Sequence, residues 1–368
     1  MRNHFWTIGV AGALLLPCLC AAQGTAPVYA MNGPSLGLVF DSESTMIRPI
    51  LGIPGAATLG PALNPGFTVE EAFTAPGGDF VLAVSKDDRR VAAVSAGGAV
   101  HWLTPATAEA PGTIEFSPDG SAAALYYRGS ARLLVTTGLR GATPQVATVD
   151  PASVPGAPAL VALSDDAASL LLAIPEGGDT ALYYLPVNSA ASATVRTGGV
   201  RSASSTPQPR AHNPFARRLG TFQSIAALRF VGSSSDALLA DSKANAVYFI
   251  QSSSGAAQIS AIGTATDGLA QPAAVDALDA RRILVANAGT ASLTILSRDG
   301  APAISIPCAS TPARLMRLPG NAVYRLTDLS KDPVWVLDAS GAEPRILAVP
   351  PDPAQDTATA AAAKGARQ

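Results

Sequence analysis

The fold is decided by a stretch that runs from Thr113 to Val135 and reads TIEFSPDGSAAALYYRGSARLLV. Three short runs of apolar, β-branched and aromatic residues are separated by two turns rich in Ser, Gly and other turn-forming residues. Such runs between tight turns are typical of antiparallel hairpins, and in the first turn Pro118 presets φ while Gly120 accepts a positive φ. The stretch therefore predicts three strands of one antiparallel sheet.

The same order of strands and turns recurs along the chain. Units begin near residues 36, 73, 114, 160, 228, 274 and 316, and the interval after the unit at 160 is longer than the others. Antiparallel four-stranded sheets that repeat radially make a β-propeller. Residues 36–349 are thus predicted to form an all-β, seven-bladed β-propeller of four-stranded antiparallel blades. A β-sandwich built from the same strands is the alternative fold.

The last apolar run, from Arg345 to Val349, has no unit of its own in this pattern. We expect it to pair with the first unit and so to close the ring.

Two of the units resemble known bacterial propeller repeats. The run ILVANAGTASLTIL, from Ile283 to Leu296, is similar to the YVTN-type repeat of YncE-like propellers. The turn Ser117-Pro118-Asp119-Gly120 is similar to the turn of TolB-like and WD40-like propellers. The resemblance implies an exported bacterial β-propeller. It implies little about activity, because propellers host many unrelated functions.

Composition excludes two broad classes of protein. The 368 residues carry 25 Lys+Arg against 27 Asp+Glu, a net charge of −2, which argues against a surface built for nucleic acid. Apolar residues make up 48% of the chain, so it can bury a large core and is not a disordered protein.

The N-terminus has the features of a secretory signal peptide over residues 1–22. Arg2 supplies a positive start, an uncharged apolar run extends from Phe5 to Leu16, and small residues lead to a cleavage site after Ala22. A cut after Ala30 is the alternative. Residues 23–35 would then be a linker, and no other apolar stretch approaches the length of a membrane span. We expect a periplasmic or extracellular monomer in which Cys308 is the one remaining cysteine.

Motifs for catalysis or metal binding are not found in the sequence. It has no nucleophile elbow, no phosphate-binding loop and no His or Cys pair with metal-ligand spacing. We therefore expect no catalytic residue, no metal and no cofactor, and predict a non-enzymatic protein-binding or scaffolding module of the cell envelope. The alternative is a lactonase-like propeller hydrolase with its site in the central channel.

A basic segment over residues 197–224 is the most distinctive local feature, and it is predicted to be a loop insertion between blades four and five. Together with the preceding Arg196 it holds five arginines and no acidic residue. Such a loop could dock an anionic protein or another anionic envelope partner, or it could be a solvated linker. The candidate partner-binding residues are Arg196, Arg201, Arg210, His212, Arg217 and Arg218. The tail, residues 350–368, is predicted to be disordered.

Overall fold

Seven antiparallel sheets follow one another along the chain in the computed structural model of the protein. The structure describes residues 33–141, 143–150, 154–187, 216–330 and 332–351. In every sheet the strands lie side by side in their sequence order, so each connection within a sheet joins neighbouring strands. The predicted seven-bladed β-propeller is confirmed. The predicted signal peptide, most of the predicted linker and most of the tail lie outside the described residues.

Each sheet forms one blade, and its strands are numbered in chain order. Blade one contains β1 Ser35–Asp41, β2 Met46–Ile53 and β3 Ala56–Leu59. Blade two contains β4 Val69–Thr74, β5 Phe80–Ser85, β6 Val91–Ser95 and β7 Val100–Trp102. Blade three contains β8 Thr113–Phe116, β9 Ala123–Tyr127, β10 Arg132–Thr137 and β11 Gln145–Val149. Blade four contains β12 Leu160–Leu163, β13 Ser169–Glu176, β14 Asp179–Pro186 and β15 Arg217–Phe222.

The remaining blades follow the same plan. Blade five contains β16 Ile225–Phe230, β17 Ala237–Asp241, β18 Ala246–Gln251 and β19 Gln258–Gly263. Blade six contains β20 Pro272–Ala277, β21 Arg282–Asn287, β22 Ser292–Ser297 and β23 Ile304–Pro307. Blade seven contains β24 Met316–Arg317, β25 Val323–Arg325, β26 Val334–Asp338 and β27 Arg345–Val349. No helix among the described residues is long and apolar enough to cross a membrane.

The core lies between neighbouring blades. In β9, Ala124 and Tyr126 belong to the core shared with blade four, whereas Leu125 and Tyr127 belong to the core shared with blade two. Side chains alternate between the two faces of a strand, so a strand buried on both faces needs apolar residues at successive positions. This requirement explains why the middle strands of the blades are continuous apolar runs.

Blade one departs from the predicted four strands, because three are present among the described residues. After β3 the chain stays beside β2. The backbone N–H of Gly60 donates to the carbonyl of Pro49, and that of Leu63 donates to the carbonyl of Ile47, each at 2.8 Å. These residues therefore continue the pairing with β2 and do not return as a fourth strand.

The prediction for the last apolar run is wrong. Residues Arg345–Val349 form β27, which pairs with β26 and completes blade seven, rather than pairing with blade one. The physical reason is that only three strands, β24 to β26, precede this run in blade seven, and the run pairs with all five residues of the open edge strand β26. The ring instead closes through side-chain packing between blades one and seven, in which Leu36, Val39 and Ile50 contact residues of blade seven such as Val336.

A buried arginine joins three blades at this closure. Nη1 of Arg325, on β25, lies 3.4 Å from the carbonyl oxygen of Leu38 in blade one and 3.4 Å from Oγ1 of Thr74 in blade two. Its Nη2 donates to Oδ1 of Asp328 at 3.2 Å. Burial lowers the pKa of Arg325, and the Asp328 carboxylate acts in the opposite direction. Arg325 thus links the two ends of the ring through side-chain hydrogen bonds.

The predicted position of the basic segment also needs correction. Arg217 and Arg218 lie on β15, the fourth strand of blade four, where Arg217 is opposite Tyr184 in the ladder with β14. The insertion therefore interrupts blade four between its third and fourth strands instead of separating blades four and five. The sequence interval is long because a segment enters one hairpin, between Pro186 and Arg217.

We predict that Arg325→Met destabilises the protein by about 2–4 kcal/mol, because hydrogen bonds from a buried charged donor are lost. Urea unfolding at pH 7 measures the change. Arg281→Met is the matched control, since the Arg281 side chain is 77% exposed, and it should change the free energy of unfolding by less than about 0.5 kcal/mol. Equal effects of the two substitutions would contradict the role of Arg325 in closure.

Candidate ligand site in the central channel

A cavity of about 390 Å³ lies at the centre of the ring, and we call it the central channel. It is lined by the first strands of blades two to six and by the start of blade seven with the residues just before it. A strand has two faces, and the first strand of a blade packs one of them against its neighbours. The other face can therefore carry residues that do not suit an apolar core.

The turn that follows each first strand aligns these strands with one another. In five blades the residue after the strand donates its backbone N–H to the carbonyl five positions later. The pairs are Ala75 to Phe80, Ser117 to Ala122, Ser164 to Ser169, Val231 to Asp236 and Leu318 to Val323. Because side chains alternate along a strand, the residues two and four positions before each donor share one face.

This alignment gives two levels of side chains around the channel. The level nearer the turns consists of Phe73, Glu115, Ala162, Arg229, Asp276 and Met316. The level farther from the turns consists of Glu71, Thr113, Leu160, Ala227, Ala274 and Arg314. All of these except Ala162 and Asp276 line the cavity.

The charged residues of the two levels are unevenly distributed. Glu71 and Glu115 come from the adjacent blades two and three, and we call this side the acidic wall. Arg229 comes from blade five and Arg314 precedes the first strand of blade seven, and we call this side the basic wall. The channel therefore has negative charge on one side and positive charge on the other, within a lining of mixed polar and apolar character.

The basic wall is held by a buried carboxylate. Asp276 is 3% exposed, and its Oδ1 lies 3.2 Å from Nε of Arg229. Its Oδ2 lies 3.5 Å from Nη2 of Arg317, which also donates to the carbonyl of Ala277. Two guanidinium groups thus share one carboxylate. Nε of Arg314 lies 3.6 Å from Oδ2 of Asp328, in a pair that is about half exposed.

The acidic wall has no such partners. Within the described ranges, neither Glu71 nor Glu115 has a side-chain hydrogen bond or an ion pair within 4.0 Å. Burial raises the pKa of Glu115 to about 7, and the charges of Arg229 and Arg314 act in the opposite direction. Burial also raises the pKa of Glu71, which Arg314 lowers and Asp328 raises. These carboxyl groups face the basic wall without touching it.

A further carboxyl group with a raised pKa lies in the turn after β12. Oδ1 of Asp165 accepts the backbone N–H of Asp119 at 2.8 Å. Burial raises the pKa of Asp165 to about 6; the Asp119 carboxylate adds to this rise, while the backbone bond and Arg229 oppose it. The positive charge of Arg229 therefore acts on carboxyl groups of three blades: Glu115 of blade three, Asp165 of blade four and Asp276 of blade six.

The chemistry available in the channel is that of ion pairing and proton transfer. A carboxyl group with a pKa near 7 can either accept or donate a proton at neutral pH. No group of three His, Cys, Asp or Glu that could hold a metal ion is found in the described part of the chain. His101 lies on β7, the outer strand of blade two, where it is exposed.

The structure separates the candidate residues of the basic segment. Arg196, Arg201, Arg210 and His212 lie outside the described residues. Nη2 of Arg217 donates to the carbonyl of Ser253 at 2.6 Å, and Nη2 of Arg218 lies 3.0 Å from Oε2 of Glu176. The last two arginines therefore support the outer part of blade four.

Sequence reasoning missed the channel residues, although a signal was present. A charged residue stands next to last in the first strands TIEF and IAALRF, at Glu115 and Arg229, and also in PAAVDA, at Asp276. A charge inside an otherwise apolar run is out of place in a core. Once the first strands are known to surround a channel, the next-to-last position of each first strand can be identified as facing that channel.

Comparisons with known proteins support the fold. No protein-family model and no curated protein matches the chain. A candidate 6-phosphogluconolactonase from Bacteroides fragilis is similar in structure, with a TM-score of 0.53, 14% identity and coverage of 87% of this chain and 97% of that chain. A protein of unknown function from Desulfotomaculum acetoxidans has a TM-score of 0.52 and 10% identity over 87% and 100%. Virginiamycin B lyase from Staphylococcus aureus has a TM-score of 0.44 and 14% identity, with coverage of 84% of this chain and 92% of that chain. At these identities the first two likenesses show the propeller fold alone.

We predict that Glu115→Gln makes the protein more stable at pH 8 and leaves its stability almost unchanged at pH 4. Because the pKa of Glu115 is raised from 4.5 to about 7, the folded protein holds a proton that the unfolded chain releases between these values. The stability that this proton contributes is complete at low pH and is lost as the pH rises through 7. The gain at pH 8 should reach about 3 kcal/mol.

Denaturant unfolding at the two pH values measures this difference. Glu343→Gln, a substitution of an exposed glutamate in the hairpin before β27, is the control and should have no effect at either pH. A Glu115→Gln effect that does not change with pH would show that the Glu115 carboxyl group titrates in its ordinary range.

Proposed function

We propose that this protein is an exported β-propeller that acts by binding, and that its ligand site is the central channel. The observation that supports this function is the pair of unpartnered carboxyl groups, Glu71 and Glu115, that face Arg229 and Arg314 across a cavity with a mixed polar and apolar lining. Glu115 is partly buried, and a carboxylate removed from water is costly unless a ligand or another charge compensates it, whereas Glu71 is exposed to solvent.

The dimensions of the channel favour a small molecule. Its volume of about 390 Å³ falls in the range that is usual for small-molecule sites. Apolar side chains such as Phe73, Leu160 and Met316 lie among the charged ones along its lining. A cavity of this size with convergent charged groups, one of which has a strongly shifted pKa, is a candidate for a binding site.

Export and an anionic partner remain part of the proposal. The features of residues 1–22 support export to the periplasm or beyond the cell. The arginines of the basic segment support docking of an anionic protein or another anionic component of the envelope. In this scheme the channel and the basic segment are two separate binding regions on one scaffold.

A hydrolase is the second candidate function, and the raised pKa of Glu115 favours it. In a lactonase-like reaction, Glu115 would remove a proton from a water molecule while the oxygen of that water attacks the ester carbonyl. Arg229 would stabilise the negative oxygen of the tetrahedral intermediate, and the proton would pass to the leaving alkoxide. The candidate lactonase from Bacteroides fragilis shares the fold, which supports such a site only by analogy.

We predict that Glu71→Gln and Arg314→Gln each weaken channel binding by about 10- to 100-fold, because each removes a charge-assisted contact; the first substitution keeps the side-chain size and the second shortens the side chain. A panel of amino acids, sugars, hydroxy acids and lactones is screened by ligand-observed NMR against the wild-type protein. Kd values of the hits are then measured for the variants, with Glu343→Gln as control.

The same samples separate the two candidate functions. Binding without conversion of the ligand supports a binding module, whereas product formation that Glu115→Gln abolishes supports the hydrolase. If no compound binds, or if Glu71→Gln, Arg314→Gln and Glu115→Gln all bind as well as wild type, the channel is not the ligand site.

We also predict that a variant lacking residues 190–214 folds normally but loses affinity for anionic surfaces. The deletion removes Arg196, Arg201, Arg210 and His212 and leaves β14 and β15 joined by a short hairpin loop. Retention on a heparin resin at increasing salt measures the change, and thermal unfolding verifies the fold. Unchanged retention by the deleted protein would remove the basic segment from the proposal.

A further inference from the structure

The distribution of charge across the channel narrows the chemistry of its ligand. The carboxyl groups of Glu71 and Glu115 project from blades two and three, and the guanidinium groups of Arg229 and Arg314 come from blades five and seven. A ligand between them meets negative charge on one side and positive charge on the other. An anion alone would leave the acidic wall without a counter-charge, and a cation alone would leave unused the guanidinium donors that Asp276 and Asp328 do not engage.

We propose that the channel binds a small zwitterion of amino-acid or dipeptide type, with its ammonium group on the acidic wall and its carboxylate on the basic wall. This inference rests on the proposed function of the channel and specifies its ligand. A carboxylate is recognised well by arginine, whose planar fork donates two parallel hydrogen bonds. The ammonium group offers three donors to the carboxyl oxygens opposite.

The state of the two walls supports this assignment. On the basic wall, Arg229 and Arg314 already face Asp276 and Asp328, but the nearest contacts are 3.2 Å and 3.6 Å long. Arg229 moreover shares the Asp276 carboxylate with Arg317, and its buried Nε, which is turned towards Asp276, makes no well-aligned hydrogen bond among the described residues. The basic wall is therefore held in place by charge while its donors are incompletely used.

The apolar lining suggests which zwitterions fit best. Phe73, Leu160 and Met316, on the channel-facing side of their strands, border the space between the walls. An amino acid or dipeptide with an apolar side chain can bury that side chain against them while its two charged groups reach the walls. We therefore expect phenylalanine and leucine to bind more tightly than glycine or serine.

Binding should release a proton near neutral pH. Glu115 faces Glu71 from blade two, Arg229 from blade five and Arg314 from blade seven, while Asp276 of blade six lies behind Arg229. Blade four presents Leu160 at the channel, and the titratable Asp165 lies in its turn. An ammonium group beside Glu115 favours the ionised carboxylate, so a Glu115 that is partly protonated at pH 7 loses its proton on binding.

Isothermal titration calorimetry of the full protein with three matched probes tests the proposal. The probes are L-phenylalanine, N-acetyl-L-phenylalanine, which lacks the cation, and L-phenylalanine amide, which lacks the anion. We expect each blocked probe to bind at least about tenfold more weakly than the zwitterion. Titrations at pH 7 in phosphate and in Tris, whose ionisation enthalpies differ, should show a heat difference from proton release.

Two variants test which wall binds the ammonium group of the ligand and which wall binds its carboxylate. Glu71→Gln should weaken binding of the zwitterion and of the amide, and should reduce the discrimination against the N-acetyl probe. Arg314→Gln should weaken binding of the zwitterion and of the N-acetyl probe, and should reduce the discrimination against the amide. Glu343→Gln should behave as wild type. A merely structural role would weaken all three probes alike.

The outcome also distinguishes this inference from the proposed function. Equal affinity for the three probes would contradict the proposal that the channel binds a zwitterion. If sugars or hydroxy acids bind in a manner that depends on Glu71 and Arg314 while phenylalanine does not bind, the zwitterion is excluded and the channel stands as the ligand site. If no probe of either panel binds, both proposals fall.

Discussion

Every middle strand of the ring has to bury both of its faces, and the rest of the structure depends on this constraint. All six residues of β5 are buried, and the residues of β9 divide between the cores on either side of its blade. A single blade cannot satisfy such strands, because each face needs a neighbouring blade. The chain therefore closes into a ring, and where its two ends meet, apolar packing and the buried Arg325 take the place of a shared strand.

The same constraint leaves the first strands free to carry function. One face of these strands joins the cores between blades, and the other faces the channel, where an apolar side chain is not required. Glu71, Glu115, Arg229 and Arg314 occupy such positions. Burial raises the pKa of Glu115 against the opposing charges of Arg229 and Arg314, and the arrangement of these charged groups determines the chemistry that a ligand must offer.

Much of the fold could be predicted from the sequence. The first strands begin within about four residues of the predicted unit starts, since apolar runs and turns such as Ser117-Pro118-Asp119-Gly120 are local signals. Two assignments failed where the answer depended on pairing. Arg345–Val349 completes blade seven, and Arg217 and Arg218 belong to blade four. A strand belongs to the blade whose edge strand it hydrogen-bonds with, and a local sequence pattern does not specify that partner strand.

The candidate site was less accessible than the fold. The basic segment was identified because its arginines are close together in the sequence, whereas Glu71, Glu115, Arg229 and Arg314 are spread over most of the ring. The sequence by itself determined the repeat, the strands, the turns and the all-β class, because these follow from local alternation and backbone preference. Only the tertiary structure decided which charged side chains meet, since closure of the ring brings the first strands of distant units around one channel.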